Sequence, residues 1–424
     1  MRGSRLVIAS CTVGLTACGL LNSLDYLQSG GVRPSDGGGG DAAADVAFDG
    51  PFVPDPSFLN GVVDVALAAN YTSCALRVDK KVYCWGWGAA GQLGIPEKQA
   101  PESSDEGGFS SRPLFIAFAP SVRSLGGGGR HLCAIDESST VKCWGNNSFC
   151  ATGQLPCTTD PADIGHVATE DGGALGGALG LGLGVYHGCA RVSGDAVVCW
   201  GENGYFQTGT TVGSERAPSG PVAGAKAIAL AAGLTYTCAL SADQSLHCWG
   251  NDGSGVLGGI VPEGGAQTAT PIDSAPGHTF VSIGGGAHHV CAIDGSGDLW
   301  CWGDGSKGQT GGGGAGPHRV TLPGSAKQVV GGNEFTCALL QDGRVACLGA
   351  NDFGQLGNGT TNTSSNPTAS VVDGIAGASA VAAGWDRACA VVGGYVHCWG
   401  NNAHAALGDG TQTARSRPVR VIAP

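Results

Sequence analysis

The sequence predicts an all-β protein, a seven-bladed β-propeller of four-stranded blades with one disulfide-clamped hairpin in each. Three features point there. A phrase of two cysteines around a polar middle recurs seven times, ending in Trp-Gly in all copies but one. Glycines stand at fixed distances behind it, and short apolar runs precede it. The chain holds 77 glycines, is only 13% charged and shows no long 3.6-residue apolar period, so helix is disfavoured. Short β-branched and aromatic runs broken by Gly, Asn and Asp read as strands.

The phrase appears as "CALRVDKKVYCWG" from Cys74, "CAIDESSTVKCWG" from Cys133 and "CARVSGDAVVCWG" from Cys189. It continues as "CALSADQSLHCWG" from Cys238, "CAIDGSGDLWCWG" from Cys291, "CALLQDGRVACLG" from Cys337 and "CAVVGGYVHCWG" from Cys389. Two residues after the second cysteine stand Gly86, Gly145, Gly201, Gly250, Gly303, Gly349 and Gly400. Ten residues after it stand Gly94, Gly153, Gly209, Gly258, Gly311, Gly357 and Gly408, of which Gly94 and Gly357 close a "GQLG" phrase. Recurrence at fixed phase says that every unit needs the same turns, which glycine takes at φ > 0. An apolar run leads into each phrase and a Pro-Val-like strand often follows it, giving about four strands per unit. Seven units of about 52 residues match propeller blades.

The cysteines fit clamped hairpins. If Cys238 faces Cys248, then Leu240 faces Leu246 and a three-residue loop centres on Asp243. Opposed residues in an antiparallel pair lie roughly 4.5–5.5 Å apart at Cα, within disulfide range. The last pair, Cys389 and Cys398, is one residue closer, and a two-residue Gly393-Gly394 turn restores the register. The expected bridges are Cys74–Cys84, Cys133–Cys143, Cys189–Cys199, Cys238–Cys248, Cys291–Cys301, Cys337–Cys347 and Cys389–Cys398, with Cys150 and Cys157 pairing inside one loop. Zinc ribbons want Cys-x2-Cys knuckles, so no metal is expected.

The N-terminus carries Arg2 and Arg5 ahead of an apolar stretch, Leu6 to Ala17, too short to span a bilayer. It reads as a secretory signal, residues 1–17, and an exported chain favours disulfides. Its end, Leu15-Thr16-Ala17-Cys18, resembles the lipobox of bacterial lipoproteins. The resemblance implies acylation of Cys18, anchoring to a membrane by lipid and, with Gly19 following, a place in the outer membrane of a bacterial cell envelope. Residues 18–57 read as an acidic, Gly-rich tether, and the propeller domain as residues 58–424.

The repeated phrase resembles that of the regulator of chromosome condensation repeat family, over roughly residues 58–424. The founding members are seven-bladed propellers. Leu348 departs from the tryptophan of the other copies, and the cysteine pairs depart from the nuclear members. Pro418 to Ile422 are expected to complete a blade begun near the N-terminal edge of the domain, closing the ring.

Trp85, Trp144, Trp200, Trp249, Trp302 and Trp399 read as wedges between sheets rather than a ligand ring. Two residues before each first cysteine stand Thr72, His131, His187, Tyr236, His289, Phe335 and Arg387. Three histidines at one ring position suggest a metal, but symmetry spreads them over different blades, so a structural role is expected. "GSGVLG" and "GDGSKG" match a dinucleotide phrase without the helix it requires. Catalytic motifs are missing, and a net charge of −12 argues against nucleic acid. Insertions at 95–111 and at 146–171, the latter with Cys150 and Cys157, mark one rim for partner recognition.

The expected function is a non-catalytic protein-binding scaffold, monomeric and without cofactor, its partner a protein of unknown identity. The family resemblance suggests guanine-nucleotide exchange as the alternative, and a secreted enzyme or enzyme inhibitor is a third class.

Overall fold

A computed structural model describes residues 55–95, 108–118, 121–157, 161–210, 215–216, 220–258, 265–272, 279–314 and 316–424. The expected signal, Cys18 and most of the tether lie outside the described residues. Asp55–Pro424 forms a single compact unit.

Seven antiparallel sheets follow one another along this unit. The first has strands Val62–Ala68, Thr72–Arg77, Val82–Trp87 and Phe109–Ile116 in sequence order. The seventh has Ala378–Ala383, Arg387–Val392, Tyr395–Gly400 and Arg415–Arg420. The third departs from four strands: Glu215–Arg216 and Pro221–Lys226 both pair with Ala196–Glu202.

Every expected hairpin register is present. Cys238 faces Cys248, Leu240 faces Leu246, and Ser241 N–H reaches Ser245 O at 2.9 Å around the loop at Asp243. Hydrogen-bonded pairs alternate with unbonded ones, so that bond puts the cysteines at an unbonded position, where side chains approach closest. Their Cα atoms lie 4.1 Å apart, and the other six blade pairs lie at 4.0–4.1 Å. Cys150 and Cys157 are joined as well. In the last blade Gly393 and Gly394 both take positive φ and turn the shortened hairpin.

The recurrent glycines have a steric cause. Gly86 and its six equivalents all hold φ between +90° and +115°. A Cβ on Gly86 would also lie 2.1 Å from Tyr71 O, closer than any real contact.

Ring closure differs from the expectation. Residues 418–420 belong to the outer strand of the seventh blade itself, pairing with Tyr395–Gly400. No blade is assembled from both chain ends. The N-terminal segment instead straps the edge: Phe58 bridges Ile422, and Leu59 N–H reaches Val421 O at 3.1 Å. Seven complete repeats lie between these ends, so no strand is left to borrow.

The core sits between blades. One cluster joins Leu59, Val62, Val65 and Trp85 of the first blade to Val391, Val396, Leu407 and Val421 of the seventh. The six repeat tryptophans are all fully buried in such seams.

Candidate binding face

Because consecutive strands are antiparallel, the turn after each first strand and the loop after each third strand emerge on the same face. We call it the loop face; the clamped hairpins turn at the opposite one. In the second insertion residues 147–157 lie on the loop face. Pro161–His166 is not the loop expected from the sequence but the fourth strand of its blade, which carries residues 167–171 to the other end.

The seams beneath it are bonded by side chains that repeat with the blades. Each tryptophan Nε1 donates to a carbonyl in the third-strand loop of the preceding blade: Trp144 to Gln92 at 2.8 Å, Trp200 to Ala151 at 3.1 Å, Trp249 to Gln207 at 2.9 Å, Trp302 to Val256 at 2.8 Å and Trp399 to Gln355 at 2.9 Å. Trp85 donates to Ala406 at 3.0 Å and closes the circle. Leu348 has no such donor, and Thr336 Oγ1 reaches Gln309 O at 2.8 Å instead. That explains why this one blade tolerates leucine.

The ring position two before each first cysteine ties blades in the other direction. His187 Nε2 meets Thr237 Oγ1 of the next blade, and His289 Nε2 meets Thr336 Oγ1, both at 2.8 Å. Tyr236 OH donates to Gly286 O at 2.8 Å. Arg387 Nη2 donates to Ala68 O and Thr72 O of the first blade, both at 2.8 Å. Thr72 Oγ1 bonds within its own blade, to Trp87 O, and Phe335 has no polar side-chain atom. His131 alone of the three histidines has neither ring nitrogen hydrogen-bonded among the described residues. Its neighbour at the threonine position is Gly188, held without a side chain because a Cβ there would lie 2.5 Å from the Trp200 ring. Burial lowers all three histidines, His131 and His289 to about 4 and His187 to about 3. Neutral imidazoles therefore fill these seams at pH 7. Among the described residues, no three His, Cys, Asp or Glu side chains converge as a metal site.

What remains exposed on the loop face is a set of tips. Six residues after each second cysteine stand Ala90, Phe149, Tyr205, Ser254, Lys307, Phe353 and His404. Phe149, Tyr205 and Phe353 are 40, 47 and 43% exposed. In the second insertion, the Cys150–Cys157 bridge and Asn147 Nδ2, which donates to Gln154 O at 3.1 Å, shape the loop that presents Phe149 and exposed Leu155. Phe149 packs edge-on to Tyr186 of the third blade, centroids 5.3 Å apart. At the seam of the seventh and first blades, His404 lies 5.7 Å from the Tyr71 ring and 5.6 Å from that of Trp87. In the first insertion, residues 96–107 lie outside the described residues. Sequence reasoning missed the tips. The signal for them was variation at one phase of an otherwise constant repeat.

Models of the regulator of chromosome condensation repeat match residues 62–92, 122–149, 280–309 and 326–355, and in a second form residues 79–135 and 342–391. Those stretches carry repeats of the regulator of chromosome condensation type. Among curated relatives, Protein RCC1 of Candida albicans is 28% identical over 137 residues, covering 29% of this chain and 29% of that protein. E3 ubiquitin-protein ligase HERC2 of Homo sapiens is 26% identical over 369 residues, covering 84% of this chain and 6% of that one. This chain thus spans less than a third of either family member. Prp20p from Saccharomyces cerevisiae superposes with a TM-score of 0.67 at 21% identity, over 86% of this chain and 87% of that one. At that identity the likeness establishes the propeller fold of the family. The eight disulfide bridges are a feature of this chain's own sequence.

Proposed function

We propose that this protein is a non-catalytic scaffold, exported and held to a bacterial envelope by lipid on Cys18, which binds a protein partner on its loop face. The observation that carries the reading is the set of exposed aromatic tips, Phe149, Tyr205 and Phe353, at equivalent positions on three blades. Aromatic side chains exposed on a rigid frame are what interface centres are made of, because they bury much area at small entropic cost. The seam bonds below them supply the rigidity. Prp20p, of the same fold, is described by its binding to Gsp1p and histones, so a protein ligand is in keeping with these repeats. The disulfide framework and the basic-then-apolar N-terminus support export.

The test is co-purification with the full chain. A single stoichiometric partner is expected with the native protein and is lost from the Phe149→Ser/Tyr205→Ser/Phe353→Ser variant. Retention by that variant overturns the loop-face reading.

A further inference from the structure

We propose that the partner presents a lysine- or arginine-rich segment, and that it docks on an acidic arc of the loop face spanning the fifth, sixth and seventh blades. This rests on the loop-face reading and adds the chemistry of what is bound.

The charges of the described residues are sorted between faces. At the hairpin face most carboxylates have cationic partners: Arg77 with Asp79 at 3.8 Å, Lys80 with Glu137 at 3.3 Å, and Arg319 with Asp298 and Arg344 with Asp342 at 2.7 Å each. Asp171 and Asp243 there are held by neighbouring hydroxyl and backbone donors instead. On the loop face Asp304, Glu334 and Asp352 have no ion pair among the described residues. Glu334 and Asp386 occupy the same position of consecutive blades, one residue ahead of Phe335 and Arg387, on the rim of the central channel. Asp352 stands at the tip of the sixth blade beside exposed Phe353.

Asp386 is the second, independent sign. It is only 8% exposed. Its Oδ2 accepts from Asn401 Nδ2 at 2.7 Å, and Asn401 lies on a loop of this face, so the carboxylate is turned toward it. Its Oδ1 is buried with no close hydrogen bond among the described residues, and the Tyr71 hydroxyl and the Arg387 charge both act on the carboxylate. An unmet buried carboxylate oxygen is costly, and a donor from outside would satisfy it. Arg387 gives Nη2 to Ala68 O and Thr72 O in the seam, and its charge acts on the neighbouring Asp386 without a hydrogen bond to it. Among the described residues the loop-face cations outside ion pairs include Arg112 on the first blade, Arg130 on the second and Lys307 on the fifth, and Arg415 is paired with Asp409 at 2.7 Å. The exposed ring of Phe353 flanks the arc and offers a π face to a cation, while that of Tyr71 is already covered by the Arg387 guanidinium at 5.8 Å. Unpaired carboxylates interleaved with aromatic faces recognise side-chain cations.

The probe is fluorescein-labelled octalysine, with octaglutamate as its control, titrated into the full chain at low and at physiological salt and followed by anisotropy. Octalysine is expected to bind and to weaken with salt, and octaglutamate to leave the signal flat. Glu334→Lys/Asp352→Lys is expected to weaken octalysine at least tenfold. Asp298→Lys/Asp342→Lys, the same change in net charge on the hairpin face, is expected to weaken it less than twofold. Equal loss in both pairs means attraction to net charge alone and overturns the proposal, as does no binding of octalysine. Asp386→Asn is expected to cost about tenfold with its melting temperature retained; should it unfold, the pair of half-buried Glu334 and exposed Asp352 decides. If the aromatic-tip variant releases the co-purified partner while Glu334→Lys/Asp352→Lys keeps it, the loop-face reading stands and this inference falls.

Discussion

Trp85 Nε1 lies 3.0 Å from Ala406 O, a hydrogen bond between residues 321 positions apart that joins the first blade to the last. Ala406 O also accepts from Ser73 Oγ at 2.8 Å. The ring is therefore closed by the same side-chain chemistry that binds every other seam, not by a shared strand.

Redundant donors make a differential prediction. At the seam of the third and fourth blades Gln207 O receives both Trp249 and Thr237, whereas at that of the fifth and sixth Gln309 O receives Thr336 and, with Leu348 in place of tryptophan, no indole. Thr336→Val should cost ~1–3 kcal/mol, the penalty of a buried acceptor left unmet, and Thr237→Val less. Urea midpoints of the two variants measure the difference; equal losses would remove the redundancy.

Removing the closing indole altogether should be worse. Trp85→Ala is expected to cost ~3–5 kcal/mol, since it opens a cavity in the first–seventh seam as well as breaking the bond. Trp85→Phe should keep most of the packing and lose about 1–2 kcal/mol. Thermal denaturation of the two variants separates the terms.

Acid should open the histidine seams. His131, His187 and His289 have folded-state values of about 4, 3 and 4, below an unfolded value near 6.5. Between those limits the unfolded chain binds more protons, so stability rises with pH through this window and is fully present above it. Unfolding free energy should therefore fall steadily from pH 6.5 towards pH 4. His131→Phe should flatten that slope; an unchanged slope would show that this buried ring does not titrate on unfolding.

The bridges can be read chemically. Non-reducing peptide mapping should return only pairs such as Cys74–Cys84 and Cys389–Cys398. Removing one pair by double Ala substitution should cost on the order of 2–3 kcal/mol, the small entropy of a short loop. A single link between blades would overturn the hairpin assignment.

Two expectations concern the cell. Cys18→Ala should move the protein from the membrane to the soluble fraction, and unchanged fractionation would remove the lipid anchor. Nucleotide release from small GTPases by the purified chain should stay at background; clear stimulation would replace the scaffold reading with an exchange activity.

The sequence by itself determined the blades. Fixed cysteine spacing specified each hairpin register, and glycines at two constant phases marked the turns where φ is positive, because these are local constraints written within a few residues. It also marked the insertions and the oddity of Leu348. Only the tertiary structure decided what joins one blade to the next. The match of His187 to Thr237, the gap left for His131 by Gly188, and the rescue of Gln309 by Thr336 pair residues about 27 to 57 positions apart. No local pattern encodes them. The face we propose for binding was hidden for the same reason: tips and carboxylates scattered along the chain become neighbours only when seven sheets close into a ring and sort their loops to one side.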